Sequence, residues 1–382
     1  MITRVCGIDI AKDSFQAALI DAQGQVLWSR SWPMSAQGFS ELMEALGAPA
    51  ESLVVGMEST GSYYLNLFLR LQGRGYDVRV LNPLLTANFA KRSLRKTKTD
   101  KLDAAMIGEF LRVNSSIRPA APAAEELRVL ARERESLTRQ VTATKNEIKR
   151  LLQALFPELL RACNPFTVGM RHFLASYPSK DAVCQAPAHS FRGPKSRTLG
   201  SAAVREMART SVGLSSPSRE AILRSRLRLL GHLQEELEMV TQSLLQGCQW
   251  QAPEDLAILN SIRGLGEVTS AHFLAETHQR SFPRAKNLVA FAGIDPAIYE
   301  SGQWKGRGRI SKRGNSSLRR VLFLMATSVI RSNPIFRAVY ERKRAEGKAY
   351  RQAVLAVAHK LVRVIHAMLR DHVPFKLMAQ SI

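Results

Sequence analysis

The chain has 382 residues, which a prior of roughly 100 to 200 residues per domain divides into two or three domains, and its 45% hydrophobic and 23% charged content excludes wholesale disorder. Fifty-five Lys and Arg against 32 Asp and Glu leave a net charge of +23, so a polyanion is the first partner to consider. Four scattered cysteines (Cys6, Cys163, Cys184, Cys248) without CxxC spacing argue against zinc and disulfides, and no run reaches the roughly 18 uninterrupted apolar residues of a membrane span. The chain opens on a strand-like run rather than a signal peptide, so a cytoplasmic protein without a membrane is expected.

Val5 to Ile10 is apolar on both alternating faces except at Asp9, the pattern of a central strand covered on two sides. Phe15–Ile20 and Val26–Trp32 read as further strands with a turn at Gly24, a meander of three. A helix at Ser40–Leu46, a strand at Leu53–Met57, a helix at Tyr63–Gly73 and a strand at Val78–Leu81 follow, then helical segments from Leu84 and over Asp100–Arg112. Three antiparallel strands followed by alternating helix and strand is a ribonuclease H-like order, a statement about fold alone. After the break at Pro119–Pro122, Glu125–Phe156 and about Ser218–Leu245 read as long amphipathic helices, an antiparallel hairpin or coiled coil suited to a spacer and oligomerisation arm. The segment Cys163–Pro217 between them is rich in Ser, Pro, Gly and Arg with weak periodicity, and reads as an irregular insertion of loops and short helices. The expected domains are an α/β ribonuclease H-like unit at 1–118, a helical arm at 119–250 with the insertion at about 163–217, and a mainly α unit at 251–382.

Four carboxylates stand out in the first of these. Asp9 interrupts an apolar strand, where an unpartnered charge costs several kcal/mol. Glu58 closes the fourth strand, and Asp100 and Asp103 share one helical face three residues apart. If that helix packs beside the first strand the four acids converge, and divalent cations are the common remedy for such repulsion in phosphoryl transfer. The plainer readings are a capping pair at Asp100–Asp103 and an exposed strand end at Glu58.

In the last unit, Ile262-Arg263-Gly264-Leu265-Gly266 lies between helical stretches, a helix-hairpin-helix pattern whose turn amides at Gly264 and Gly266 are suited to a phosphate. From Ser301 to Ile382 there are 18 Lys or Arg and three acids, so +15 of the charge sits there. Lys305, Arg307, Arg309, Lys312 and Arg313 lie on a Gly-rich stretch fit for backbone phosphates, with Arg319 and Arg320 following; the plain alternative is a solvated loop. Ser301-Gly302 precedes them, and serine there is either a turn residue or a nucleophile dividing one phosphoryl transfer into two.

Gly7-Ile8-Asp9-Ile10-Ala11-Lys12, Met57-Glu58-Ser59-Thr60-Gly61-Ser62-Tyr63, Asn82-Pro83 and Lys98-Thr99-Asp100-Lys101-Leu102-Asp103-Ala104 begin a set of motifs. Ile262–Gly266, Phe291-Ala292-Gly293, Tyr299-Glu300-Ser301-Gly302 and Ser311–Arg320 complete it in order. Together they resemble the DEDD transposases of the IS110 insertion-sequence family. The resemblance implies a RuvC-like domain holding Mg2+ with Asp9, Glu58, Asp100 and Asp103, and a C-terminal domain whose nucleophile falls on Ser301. It also implies donor and target DNA as substrates, a non-coding bridge RNA as guide, and a homodimer or homotetramer whose active site is completed between subunits. A Piv-like DNA invertase, a metal-dependent nuclease without a covalent intermediate, and a binding protein on a retired nuclease fold are the alternatives.

Overall fold

Gly24, at φ +88°, makes the turn of the predicted meander: β1 (Arg4–Ile10), β2 (Ser14–Asp21) and β3 (Val26–Pro33) pair antiparallel in sequence. Helix α1 (Ala36–Leu46) starts four residues before the sequence reading places it, because Ser35 caps it by accepting a hydrogen bond from the Gly38 amide at 3.1 Å. β4 (Leu53–Glu58) returns parallel to β1, and after α2 (Tyr64–Gly73) β5 (Asp77–Leu81) lies parallel to β4, giving the order β3-β2-β1-β4-β5. Helices α3 (Pro83–Ala90) and α4 (Asp100–Val113) complete this unit. One sheet face buries Cys6, Ile8, Val55 and Met57 against Leu42 of α1 and Leu67 of α2. The other buries Val5, Ile20 and Val54 against Ile107, Phe110 and Leu111 of α4. β1 is thus covered on both faces, and this mixed sheet is compatible with the ribonuclease H-like expectation.

The computed structural model describes residues 2–58, 63–81, 83–90, 100–114, 117, 122–189, 191–194, 199–297, 300–301, 304–305 and 309–376. At 84, 85, 88, 90, 100–102, 122–124, 297, 300, 301, 304, 305 and 309 the backbone alone is described. Of the motif residues, Ser59 to Ser62, Asn82, Lys98, Thr99, Tyr299, Gly302, Gly306, Arg307 and Gly308 lie outside the described residues. The chain divides into two compact units, residues 1–122 and 123–382.

The second unit begins within α5 (Pro122–Leu155). Four short helices follow, α6 (Pro157–Ala162), α7 (Val168–Ser176), α8 (Lys180–Gln185) and α9 (Ser201–Arg209), before the 35-residue α10 (Pro217–Gln251). The two long helices run antiparallel, since their partners step in opposite directions. Leu127 lies against Gly247, Arg134 Nε donates to Thr241 Oγ1 at 3.0 Å, and Arg226 pairs with Glu147 at 2.6 Å. The segment read as an irregular insertion has a core of its own, in which Met170, Phe173, Val183, Phe191 and Val204 bury against Ile148 and Leu152 of α5 and Leu223 of α10. Its three helices are six to nine residues long, too short for a 3.6-residue period to stand out.

Beyond α10 come α11 (Pro253–Asn260), α12 (Glu267–Thr277) and α13 (Ala285–Ala292), then the two-residue strands β6 (Pro296–Ala297), β7 (Glu300–Ser301), β8 (Trp304–Lys305) and β9 (Arg309–Ile310). α14 (Ser316–Ser332), α15 (Pro334–Ala345) and α16 (Tyr350–Asp371) close the fold. By length and composition α16 could cross a membrane. Its apolar residues Val354, Val357, Leu361, Val362 and Ile365 are instead buried in the core shared with α12 and α14.

Candidate active site

The carboxylate region is organised by a contact between two glycines. A Cβ at Gly7 would lie 2.1 Å from the Ala104 carbonyl oxygen and 2.3 Å from the Gly108 nitrogen, so α4 rests its backbone directly on β1. Arg112 near the end of α4 donates to the Ala22 carbonyl at 3.1 Å, beside the turn that follows Asp21, and Asp21 pairs with Arg4. The C-terminal end of α4 therefore sits at the start of β1. Its first turn, with Asp100 and Asp103, runs toward the other end of the strand, where Asp9 stands.

Side chains alternate along a strand, so Asp9 shares the α4-facing side with Val5 and Gly7, and Glu58 shares it with Val54 and Gly56. Both acids lie one residue beyond the Ile8–Met57 pair, on adjacent parallel strands about 4.8 Å apart. Asp9, Glu58 and Asp103 are all partly buried, and the Asp100 side chain lies outside the described residues. Thr86, fully buried on α3, donates its hydroxyl hydrogen bond to Glu58 Oε1 and sits 3.0 Å from the Pro83 carbonyl. That partner was not read from sequence, where Thr86 is one polar residue in the helical segment from Leu84. Among the described residues no group of three or more His, Cys, Asp or Glu gathers closely enough to hold an ion. The donor chemistry nonetheless fits a hard divalent cation, because the two adjacent strand-end groups are both carboxylates. Thr86→Val is expected to weaken divalent binding roughly tenfold or more, as loss of a group orienting a ligand does, while lowering stability by about 1 kcal/mol. Titration calorimetry and thermal melting check the two effects.

The serine motif occupies a hairpin in the second unit. Pro296 pairs with Ile310 and Ala297 with Arg309, then Glu300 pairs with Lys305 and Ser301 with Trp304. Ser301 is therefore the last β7 residue before the two-residue connection. At the hairpin's root, the Ser311 amide donates to the Asp295 carbonyl at 2.8 Å, and the Ser311 hydroxyl to Asp295 Oδ1 at 2.5 Å. Gly293 ends α13 in the left-handed conformation, φ +64°, and its carbonyl accepts from the Lys312 amide at 3.1 Å. A Cβ on Gly314 would meet the Phe291 carbonyl at 2.4 Å, so the Phe291-Ala292-Gly293 and Ser311–Asn315 motifs are interlocked backbone to backbone. Lys312 and Arg313 are exposed, whereas Arg319 uses its guanidinium to cap the Ala292 carbonyl at 3.1 Å. Lys305 and Arg309 lie on β8 and β9.

Gly264, at φ +102°, and Gly266, which begins α12, form the turn between α11 and α12; the Gly264 carbonyl accepts from Ser328 of α14 at 2.5 Å. Beneath the start of α14 lies a buried polar network that sequence reasoning missed. Asn315 caps α14, accepting from the Leu318 amide at 2.9 Å, and donates to Oε2 of the fully buried Glu276 at 2.6 Å. Ser317 lies 2.8 Å from His272 Nε2 and donates to Glu135 at 2.9 Å. Burial holds the His272 imidazole below its ordinary range, so the neutral ring meets Ser317. Asn315→Ala removes the cap and leaves a Glu276 oxygen without its donor, with an expected loss of about 2–4 kcal/mol in denaturant unfolding.

Two family models match the chain in order. Residues 6–157 match one described as a transposase, and residues 256–341 match one described as the transposase IS116/IS110/IS902 family. The chain belongs to the IS110 family of transposases. Asp9, Glu58, Asp100 and Asp103 fall in the first matched region of this transposase, and Gly264, Gly266 and Ser301 in the second. Seven of its relatives align over about nine-tenths or more of their own length. They include an uncharacterized 43.6 kDa protein of insertion element IS110 from Streptomyces coelicolor, 26% identical over 96% of this chain and 93% of the relative. The transposase for insertion sequence element IS1111A from Coxiella burnetii is 27% identical over 96% and 89%, and a pilin gene-inverting protein from Moraxella bovis is 24% identical over 97% and 96%. The transposase is an enzyme of DNA transposition and recombination, and its family implies a divalent metal.

Proposed function

We propose that this transposase cleaves and exchanges DNA strands of an insertion sequence with Ser301 as nucleophile and Mg2+ held by Asp9, Glu58, Asp100 and Asp103 of a ribonuclease H-like, RuvC-like domain. The observation that carries the reading is the placement of Asp9 and Glu58 one residue beyond the Ile8–Met57 pair on adjacent strands, with the acidic first turn of α4 directed to that end of the sheet. When bound, the metal would lower the energy of charge developing on phosphate oxygens. Ser301 Oγ forms a bond to phosphorus and gives up its proton, while the bond to one deoxyribose oxygen breaks and that oxygen leaves as a DNA hydroxyl after protonation. A second DNA hydroxyl then attacks the phosphoserine and returns the serine. Lys305, Arg307, Arg309, Lys312 and Arg313, with the Gly264–Gly266 turn, would hold backbone phosphates.

Asp9→Asn and Glu58→Gln are each expected to abolish strand cleavage and reduce heat of divalent binding, without changing DNA affinity by more than a few fold. Cleavage retained in both variants would end the metal assignment. The family resemblance implies a bridge RNA that chooses donor and target by base pairing while the protein reads backbone and shape, and the net charge of +23 agrees with a polyanion partner. A discrete RNA encoded beside the gene, recovered on purification from the native host, is the expected result. The setting is the bacterial cytoplasm at the nucleoid, with a homodimer or homotetramer as the working unit. The Moraxella relatives, named for inverting a pilin gene, favour a second reading as a site-specific invertase by the same chemistry.

A further inference from the structure

A strip of arginines joins the long helix α5 to α14 within the second unit. Arg132, Glu135 and Arg139 of α5 are spaced three and four residues apart and share one helical face. Arg132 reaches 3.7 Å from the buried Glu276, and Glu135 lies 3.8 Å from Arg139 and 3.4 Å from Arg320. The carboxylates sit inside, with side chains 0% and 14% exposed, and the guanidiniums outside, at 58%, 69% and 40%. Each cation is thus tethered from beneath with its outer face open.

Three tethered cations, Arg132, Arg139 and Arg320, share two carboxylates, Glu276 and Glu135, so the ion pairs leave a positive excess. Arg280, stacked 4.9 Å over Phe291, is pushed down to about 10, chiefly by burial, with Arg128 and Arg132 lowering it against the opposing pull of Glu276 and Glu125. Arg134 is lowered by burial and then by Arg320. Crowded cations of this kind cost stability, and a polyanion laid across them relieves the repulsion. Residues 128–139 of α5 and 316–320 of α14 include no aromatic ring, so what these two segments offer a polyanion is mainly charge for its phosphates rather than aromatic faces for unpaired bases. A phosphate backbone held in regular duplex geometry is the partner that fits.

We infer that Arg132 and Arg139 of α5, set beside Arg320 of α14, contact backbone phosphates of the DNA duplex, so that the long helix takes part in holding substrate. This rests on the proposed action on DNA and extends the contact surface beyond the basic loop. The test is binding of the full chain to a fluorescein-labelled duplex of arbitrary sequence across a salt series. In the double variant Arg132→Ala/Arg139→Ala, the slope of log K against log salt should become shallower by about 2, roughly one phosphate for each arginine. The double lysine variant keeps the charge and should keep the slope, and Arg139→Ala alone, at the most exposed position, should lose about 1. An unchanged slope in the alanine variants, or an equal loss in the lysine variant, overturns the inference. So does a slope that falls on structured RNA and not on the duplex. If the unaltered chain shows no salt-dependent duplex binding, the wider proposal of action on DNA fails with it; if only the variants behave like the parent, that proposal stands.

Discussion

Ser301→Ala is expected to abolish the covalent protein–DNA adduct and to lower recombination by at least about a thousandfold, the scale on which enzymes lose rate when a nucleophile is removed. The change deletes one oxygen at the end of a short strand whose pairing with Trp304 is made by backbone groups. The root of its hairpin is held independently, through Asp295, Ser311, Gly293 and Lys312. The fold, and affinity for duplex DNA, should therefore survive. The measurement is a labelled DNA substrate quenched into denaturant, in which the parent shows a slowly migrating protein-linked band and the variant none. A nuclease using metal and water alone would cleave at parental rate in the variant, and that outcome would exclude the serine mechanism. Ser301→Cys, which restores a nucleophile of similar reach, should recover a detectable adduct.

The part of this architecture that was legible in the sequence is the part governed by long periodic signals. The meander, the strand that becomes β4 and the two long helices follow from alternation and 3.6-residue spacing, and the structure departs from those readings by a few residues at the ends. Asp9 was legible because a charge in a two-sided apolar strand has few bland explanations. What sequence did not show are the groups that act through tertiary contact. Thr86 acquires meaning only when α3 carries it to Glu58, and Glu276 only when Asn315 of α14 reaches it. The short helices α7 to α9 gave no period, and α13 and α15 went unread among Gly, Pro and basic residues. The basic loop was noticed for its charge, yet its structural content lies in Gly314 and Gly293, whose missing side chains let two motifs lock together. Arg319 shows the limit of counting charge, since its guanidinium serves a helix end rather than an open surface.

Gly7→Ala should be the most damaging single-carbon change in the first unit. Its new Cβ would face the Ala104 carbonyl at 2.1 Å and Gly108 backbone atoms at 2.3 and 2.9 Å, and none of these belongs to a side chain that can swing aside. Overpacking typically costs 1–3 kcal/mol, which exceeds the roughly 0.4–1 kcal/mol that alanine returns by restricting the unfolded chain. Relief requires α4 to lift from β1, carrying Asp100 and Asp103 away from the strand end that holds Asp9 and Glu58. Melting followed by circular dichroism should show a transition lowered by roughly 5–10 °C, and strand cleavage should be lost even where the protein is fully folded. Gly73→Ala is the matched control: it lies at the end of α2 with no atom within 4 Å of the added carbon, and should be neutral or stabilising by up to about 1 kcal/mol. A Gly7→Ala protein that melts with its parent and cleaves DNA normally would mean that α4 does not rest on β1, and the placement of its acidic turn near Asp9 would fall with that contact.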